Sequence, residues 1–278
     1  MLNFFLDPMS YAFMQRGLLA SMLVGVLCAV VGCYVVLRSM AFLGDAMAHA
    51  ILPGIAIAYL IGGNLTLGAL AAAVIVALLI SFLSRQGTVK EDTAIGILFS
   101  AALALGVALI STVRTYAVDL SHILFGNVLG VSTQDLWLTC IVSTLVIITI
   151  LLFYKPFLVI SFDPILAATL RLPADFFRSL LLVLLALTIV ISVQTVGVGL
   201  SAAMLVTPGA TAYLLTRRLP AMMALAALLG GASSLVGLYL SYYMNLASGS
   251  AIVLTATVFF LLAFLFAPQR GVLWHRSR

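Results

Sequence analysis

Apolar runs close to twenty residues long follow one another along the whole chain, separated by short clusters of Gly, Pro, Asn and charged residues. They fall at 17–37, 41–61, 65–83, 93–113, 136–154, 179–196, 199–216, 221–244 and 250–267. A run of about 18 or more apolar residues is long enough for a helix to cross hydrocarbon. The pattern predicts an all-α integral membrane protein, a polytopic helical bundle of nine spans, or eight if the first or a late run crosses only in part. A further run at 120–131 is too short to cross and reads as re-entrant. The whole chain, 1–278, reads as one transmembrane domain. An aromatic lead-in at headgroup depth occupies 1–16, a mixed loop 155–178 and a basic tail 268–278.

Composition excludes the soluble alternative. Only 8% of the residues are charged and 64% are hydrophobic, against about 25% charged in a soluble domain. A soluble bundle would also need polar helix faces. The net charge of +5 does not mark a nucleic-acid surface, because no basic stripe carries interleaved aromatics. The cations stand at the ends of the runs: Arg38, Arg85 with Lys90, Lys155 with Arg171 and Arg178, Arg217 with Arg218, and Arg270 with Arg276 and Arg278. Nine spans with an outer N-terminus place all of these on the cytoplasmic side, as the positive-inside rule requires. Arg16 and Arg114 are the exceptions. The first cation is Arg16, so no basic leader precedes the first run and no cleaved signal is expected. Cys28, Cys33 and Cys140 read as inert buried thiols rather than a disulfide frame or zinc cluster.

Glycine and proline interrupt several runs. Pro53 and Pro208 are expected to kink their helices, and "VGVG" at 196–199 breaks another run. Broken helices are tolerated where freed backbone faces protein or a water-filled path, so several in one chain favour a conduit over an inert anchor. Gly230, Ser234, Gly237 and Ser241 form one small-residue helix face suited to close packing, inside the chain or against a second copy. In the loop, Asp163 and Pro164 have the pattern of an N-cap followed by proline at the first helical position. Pro173 limits the helix that follows to about two turns, so it lies along the membrane or against a partner.

The chemistry-bearing positions are few. Asp45 lies about one turn into the second run, where a carboxylate costs some 2.5–3.5 kcal/mol or more unless it faces a polar cavity or a partner. His49 follows four residues on and shares its helix face. Carboxylate oxygen with imidazole suits Mn²⁺, Zn²⁺ or Fe²⁺ and suits Cu⁺ poorly. The competing reading makes Asp45 a helix-start acceptor and His49 a satisfied core histidine. A second pair, Asp119 and His122, repeats the arrangement at a spacing of three. The remaining histidine, His275, lies in the basic tail. Two Asp/His pairs in so apolar a chain point to a cation path. Lys90 and Lys155 are the only lysines, and neither completes a phosphate-binding loop. The chain is therefore not expected to hydrolyse ATP itself or to be an enzyme. No HExxH appears, and Phe42 stands where a membrane aspartyl protease would carry the first glycine of its GxGD motif.

The stretches "VVLRSMAFLGDAMAHAILPGIA" (35–56), "DTAIGILFSAALALG" (92–106), "DLSHILFGNVLG" (119–130), "SFDPILAATLRLP" (161–173) and "MLVTPGATAY" (204–213) resemble, in order and over nearly the whole chain, the membrane permease subunit of bacterial ABC importers for Mn²⁺, Zn²⁺ and Fe²⁺. The resemblance implies a multi-pass protein of the cytoplasmic membrane with a cytoplasmic C-terminus. It implies a second permease copy, two cytoplasmic ATP-binding subunits and an extracytoplasmic solute-binding protein that delivers the metal. It implies metal contact for Asp45 and His49, and less directly for Asp119 and His122. It makes the short helix, with Asp163, Pro164, Leu166, Ala167 and Leu170, the coupling helix that docks on the ATPase. "GDAMAHAILPG" is closest to manganese-type members, with Zn²⁺ or Fe²⁺ as the alternative cargo; no resident cofactor is implied. A proton-coupled metal transporter, with the Asp/His pairs as a relay, is the alternative of another class.

Overall fold

The computed structural model describes residues 7–8, 10–85, 89–112, 128–162 and 164–267, and the described residues contain helices and short connections but no strand. In chain order the helices are α1 (Ala12–Leu37), α2 (Leu43–Ala50), α3 (Leu52–Leu60), α4 (Leu65–Arg85), α5 (Glu91–Ser111), α6 (Thr133–Leu152), α7 (Tyr154–Phe162), α8 (Pro164–Thr169), α9 (Ala174–Val196), α10 (Val198–Leu215), α11 (Leu219–Met244) and α12 (Ser248–Phe266). Among the described residues, nine helical stretches are long and apolar enough to cross a membrane, with α2 and α3 together forming one of them. They coincide with the runs read from the sequence.

Local chemistry sets the helix ends. Ser132 and Asp135 make a capping box at α6: the Ser132 hydroxyl accepts from the Asp135 N–H (3.2 Å), and the Asp135 carboxylate accepts from the Ser132 N–H (3.1 Å). The Asn64 side chain accepts from the N–H groups of Thr66 and Leu67 at the start of α4. Glu91 and Asp92 occupy the first turn of α5, where the helix dipole favours negative charge. Between α9 and α10 the link is a single residue, Gly197, at φ 87° and ψ 167°. Residues with a Cβ essentially do not adopt that conformation.

Helix α1 is the axis of the bundle, packed against α6, α9, α10 and α11. Small residues bring the backbones together. A Cβ on Gly25 would stand 2.8 Å from the Gly230 carbonyl oxygen, and one on Gly209 would stand 3.2 Å from the main chain of Gly32. The Ser234 hydroxyl donates to the Ser21 carbonyl at 2.9 Å. The small face of α11 is thus used up within the chain. Gly230 and Ser234 meet α1, Gly237 meets Ile252 of α12, and the Ser241 hydroxyl donates to the Leu246 carbonyl. Pro208 lies inside α10, whose helix continues through it. Near Pro53 the helix instead breaks, at Ile51 between α2 and α3.

Two ion pairs gather helix ends at one end of the bundle. Arg38, just past α1, holds Glu91 of α5 at 2.7 Å, and Arg85 at the end of α4 holds Asp175 of α9 at 2.7 Å. This is the basic end. Helix α1 starts at Ala12, within the stretch read as a lead-in. The segment 155–178 is more helical than its sequence indicated. Pro156 sits in the first turn of α7, where a missing N–H costs nothing. Phe157 is buried with its ring 5.9 Å from both Tyr34 and Phe177, which draws α7 onto the bundle. Helix α8 then runs to Thr169, and α9 begins at Ala174. Of the run 120–131, only the 3₁₀ turn Val128–Gly130 and Val131 lie within the described residues.

Candidate metal site

Helix α2 is short because two features bracket it. The chain turns at Ser39, whose φ of 57° is left-handed, and Pro53 has no N–H to give the His49 carbonyl four residues back. Between them α2 presents Asp45 in its first turn and His49 in its last. Phe42, at the N-cap position of α2, has no polar side chain to cap the helix. The imidazole Nδ1 lies 3.0 Å from the Asp45 main-chain carbonyl and 3.8 Å from its carboxylate. A carbonyl can only accept, so Nδ1 is the donor and Nε2 is the nitrogen left to act as a ligand. That nitrogen is the one a metal would take. The Asp45 side chain is 48% exposed and that of His49 27% exposed. Both side chains are thus partly open at the surface of the chain.

Among the described residues no group of three or more His, Cys, Asp or Glu side chains converges on a point. The described residues offer one carboxylate and one imidazole here, fewer than the four to six ligands that Zn²⁺ or Mn²⁺ takes. Cys28 and Cys33 are buried within α1 and Cys140 lies on α6, so no thiol joins the pair. Asp119 and His122 lie outside the described residues, as does Asp163. Pro164 opens α8. On that helix Ala167 is buried, while Leu166 and, just beyond its end, Leu170 are exposed.

The structure adds groups that sequence reasoning missed. Phe99 of α5 packs edge-on against His49 (centroids 5.9 Å apart) and also against Phe42 (5.7 Å). Nothing in the sequence distinguishes Phe99 from the other phenylalanines. The foot of α5 is fixed by the Arg38–Glu91 pair, whose side chains are 10% and 18% exposed. Opposite charges at the same end of two spans were a signal for that pair. Beyond His49, an apolar cleft between α3, α4 and α5 is lined by Ala50, Pro53, Gly54, Gly68 and Ala72 among others, with Asn64 the one polar side chain among the described lining residues.

The family model described as the ABC 3 transport family matches residues 10–267. The "Manganese transport system membrane protein MntC" of Halalkalibacterium halodurans is 51% identical, over 100% of this chain and 96% of that protein. The "Probable iron transport system membrane protein" of Haemophilus influenzae is 40% identical, over 100% of this chain and 98% of that protein. Among solved structures, PsaBC from Streptococcus pneumoniae in complex with Fab matches with a TM-score of 0.86 and 40% identity, covering 99% of this chain and 100% of that one. With that match across almost all of its length, and with a polytopic helical bundle to carry it, the chain belongs to the ABC 3 transport family.

Proposed function

We propose that this protein is the membrane permease of an ATP-driven bacterial importer that carries Mn²⁺ into the cytoplasm, with its basic end and C-terminus on the cytoplasmic side. The carrying observation is the Asp45/His49 pair, half open at the edge of a broken membrane helix with Nε2 left to act as a ligand. A permanent binding site would close over its ion with a full ligand set. A two-ligand face instead suits passage, where an ion must be held well enough to arrive and weakly enough to leave. A second permease copy would bring its own Asp45 and His49 to the same ion. Helix α5 supports that partner: only 17% of its most apolar window is buried within the chain, and Gly96, Ser100, Ala101 and Ala104 lie on it with little or no cover. Asp119 and His122 are a second contact on the same path.

Two ATP-binding subunits would dock on α8 through Leu166 and Leu170, with Asp163, Pro164 and Ala167 forming and seating the helix. An extracytoplasmic binding protein would deliver the metal. Manganese is chosen because the 51% identical relative is named for it; the iron-named relative at 40% keeps Fe²⁺ as the second cargo. The match to an ABC transport family weighs against a proton-coupled carrier, which would need no ATPase. The test is ⁵⁴Mn uptake by cells expressing Asp45→Asn or His49→Ala at wild-type permease levels. Uptake is expected to fall about tenfold or more, since losing even an outer-shell partner of a metal ligand costs that much. Undiminished uptake would sink the assignment.

A further inference from the structure

The geometry points to a gate: we propose that Phe42, held by Phe99, is the hydrophobic barrier between the metal pair and the basic end of the path. The proposal rests on the reading of Asp45 and His49 as path residues. Phe42 precedes Asp45 by three positions, so the two share a face where the chain enters α2. Phe42 is 47% exposed, and Asp45 and His49 are also partly open, so it is not packed away as core. The end of α1 and Arg38, which holds Glu91, lie on the other side of Phe42 along the chain. The order along the chain thus sets this ring between Asp45 and the basic end. Neither Phe42 nor Phe99 offers an oxygen or nitrogen to replace the water that a divalent ion would shed. An apolar constriction of this kind closes by excluding water. In a two-copy transporter the Phe42 rings would face each other across the path.

Phe99 gives the barrier a link to the metal. Its ring meets His49 at 81° and Phe42 at 89°, so one side chain touches both the ligand and the gate. A His49 ring that turns to offer Nε2 to a metal changes its contact with Phe99. Phe99 in turn is what Phe42 rests on. Occupancy of the site and the position of the barrier are thereby coupled through a single residue.

The experiment uses the complete transporter, permease with its ATPase subunits, in liposomes loaded with a Mn²⁺-quenched dye. Influx is read first without ATP or binding protein and then with both. Phe42→Ala is expected to raise ATP-independent influx about tenfold or more, as loss of an apolar constriction should. Phe42→Leu, which keeps apolar bulk, should remain tight. Phe99→Ala should also leak, and combining it with Phe42→Ala should add little. Phe42→Ala vesicles as tight as wild type overturn the gate, whether or not ATP-driven uptake survives. Asp45→Asn in the same vesicles separates the two readings. If ATP-driven uptake is insensitive to Asp45, the path assignment fails. If uptake needs Asp45 but Phe42→Ala is tight, only the gate fails.

Discussion

Glu91→Gln removes the charge that answers a guanidinium already withdrawn from water. Arg38 and Glu91 meet at 2.7 Å with side chains 10% and 18% exposed. At an effective dielectric of about 20 their gross attraction is about 6 kcal/mol, and desolvation of both ions offsets much of it. What a single substitution exposes is the stranded partner, at about 3–5 kcal/mol. The lower end applies here, because Arg38 Nη1 and Glu91 Oε1 are buried without hydrogen-bond partners, so the pair is only partly satisfied. A loss of about 3 kcal/mol corresponds to a melting temperature lowered by about 6–12 °C. Replacing both groups, Arg38→Met with Glu91→Leu, should recover to within about 1 kcal/mol of wild type, because no orphan charge remains. Burial, and secondarily Arg178, lower the Arg38 pKa while Glu91 raises it. Folding against a lowered cation pKa costs stability wherever the group is protonated, and a guanidinium is protonated throughout the physiological range. The Glu91→Gln deficit should therefore be flat across neutral pH. The assay is thermal unfolding of the detergent-solubilised permease for wild type, both single variants and the double variant. Glu91→Gln melting within about 1 °C of wild type would refute the reasoning, since it would mean the pair is no more coupled than an exposed one.

Gly230→Ala drives a methyl group onto the Gly25 carbonyl oxygen, 2.9 Å from its carbonyl carbon and 3.0 Å from the Ala29 side chain. It should lower stability by about 1–3 kcal/mol through overpacking, read in the same melting assay, whereas Gly96→Ala, with open space around it, should not. On α8, Leu166→Glu with Leu170→Glu changes two exposed apolar positions. The permease should still reach the membrane in wild-type amount but no longer co-purify with its ATPase subunits; retained ATPase would remove α8 from the docking surface.

The sequence made the spans plain because each had to be apolar over some twenty residues, and the structure reproduces them. It also showed Asp45 and His49 on one face, since spacing alone determines that. The pairing of spans was not legible. A membrane helix is apolar nearly all round, so its pattern does not say which side meets protein and which meets lipid. Hence the small face of α11 was visible while its partners α1 and α12 were not, and Phe99 was indistinguishable from a lipid-facing phenylalanine. Helix α7 was hidden for another reason. Lys155, Pro156 and Ser161 made 155–162 look like a loop, but burial of Phe157 among Tyr34, Phe153 and Phe177 outweighs that local signal.

The one-residue link at Gly197 bears on how the protein is made. Helices α9 and α10 turn back on each other with no polar segment between them, so nothing at their junction can wait in water while one helix enters the bilayer before the other. The translocation machinery must accept the two as a single hairpin, and α9 must stay in its keeping until α10 has been synthesised. Lengthening the junction with a hydrophilic insert would uncouple their delivery. A side chain at 197 would instead disturb the turn itself. This corner thus constrains the order of events at the ribosome before it constrains anything in the finished transporter.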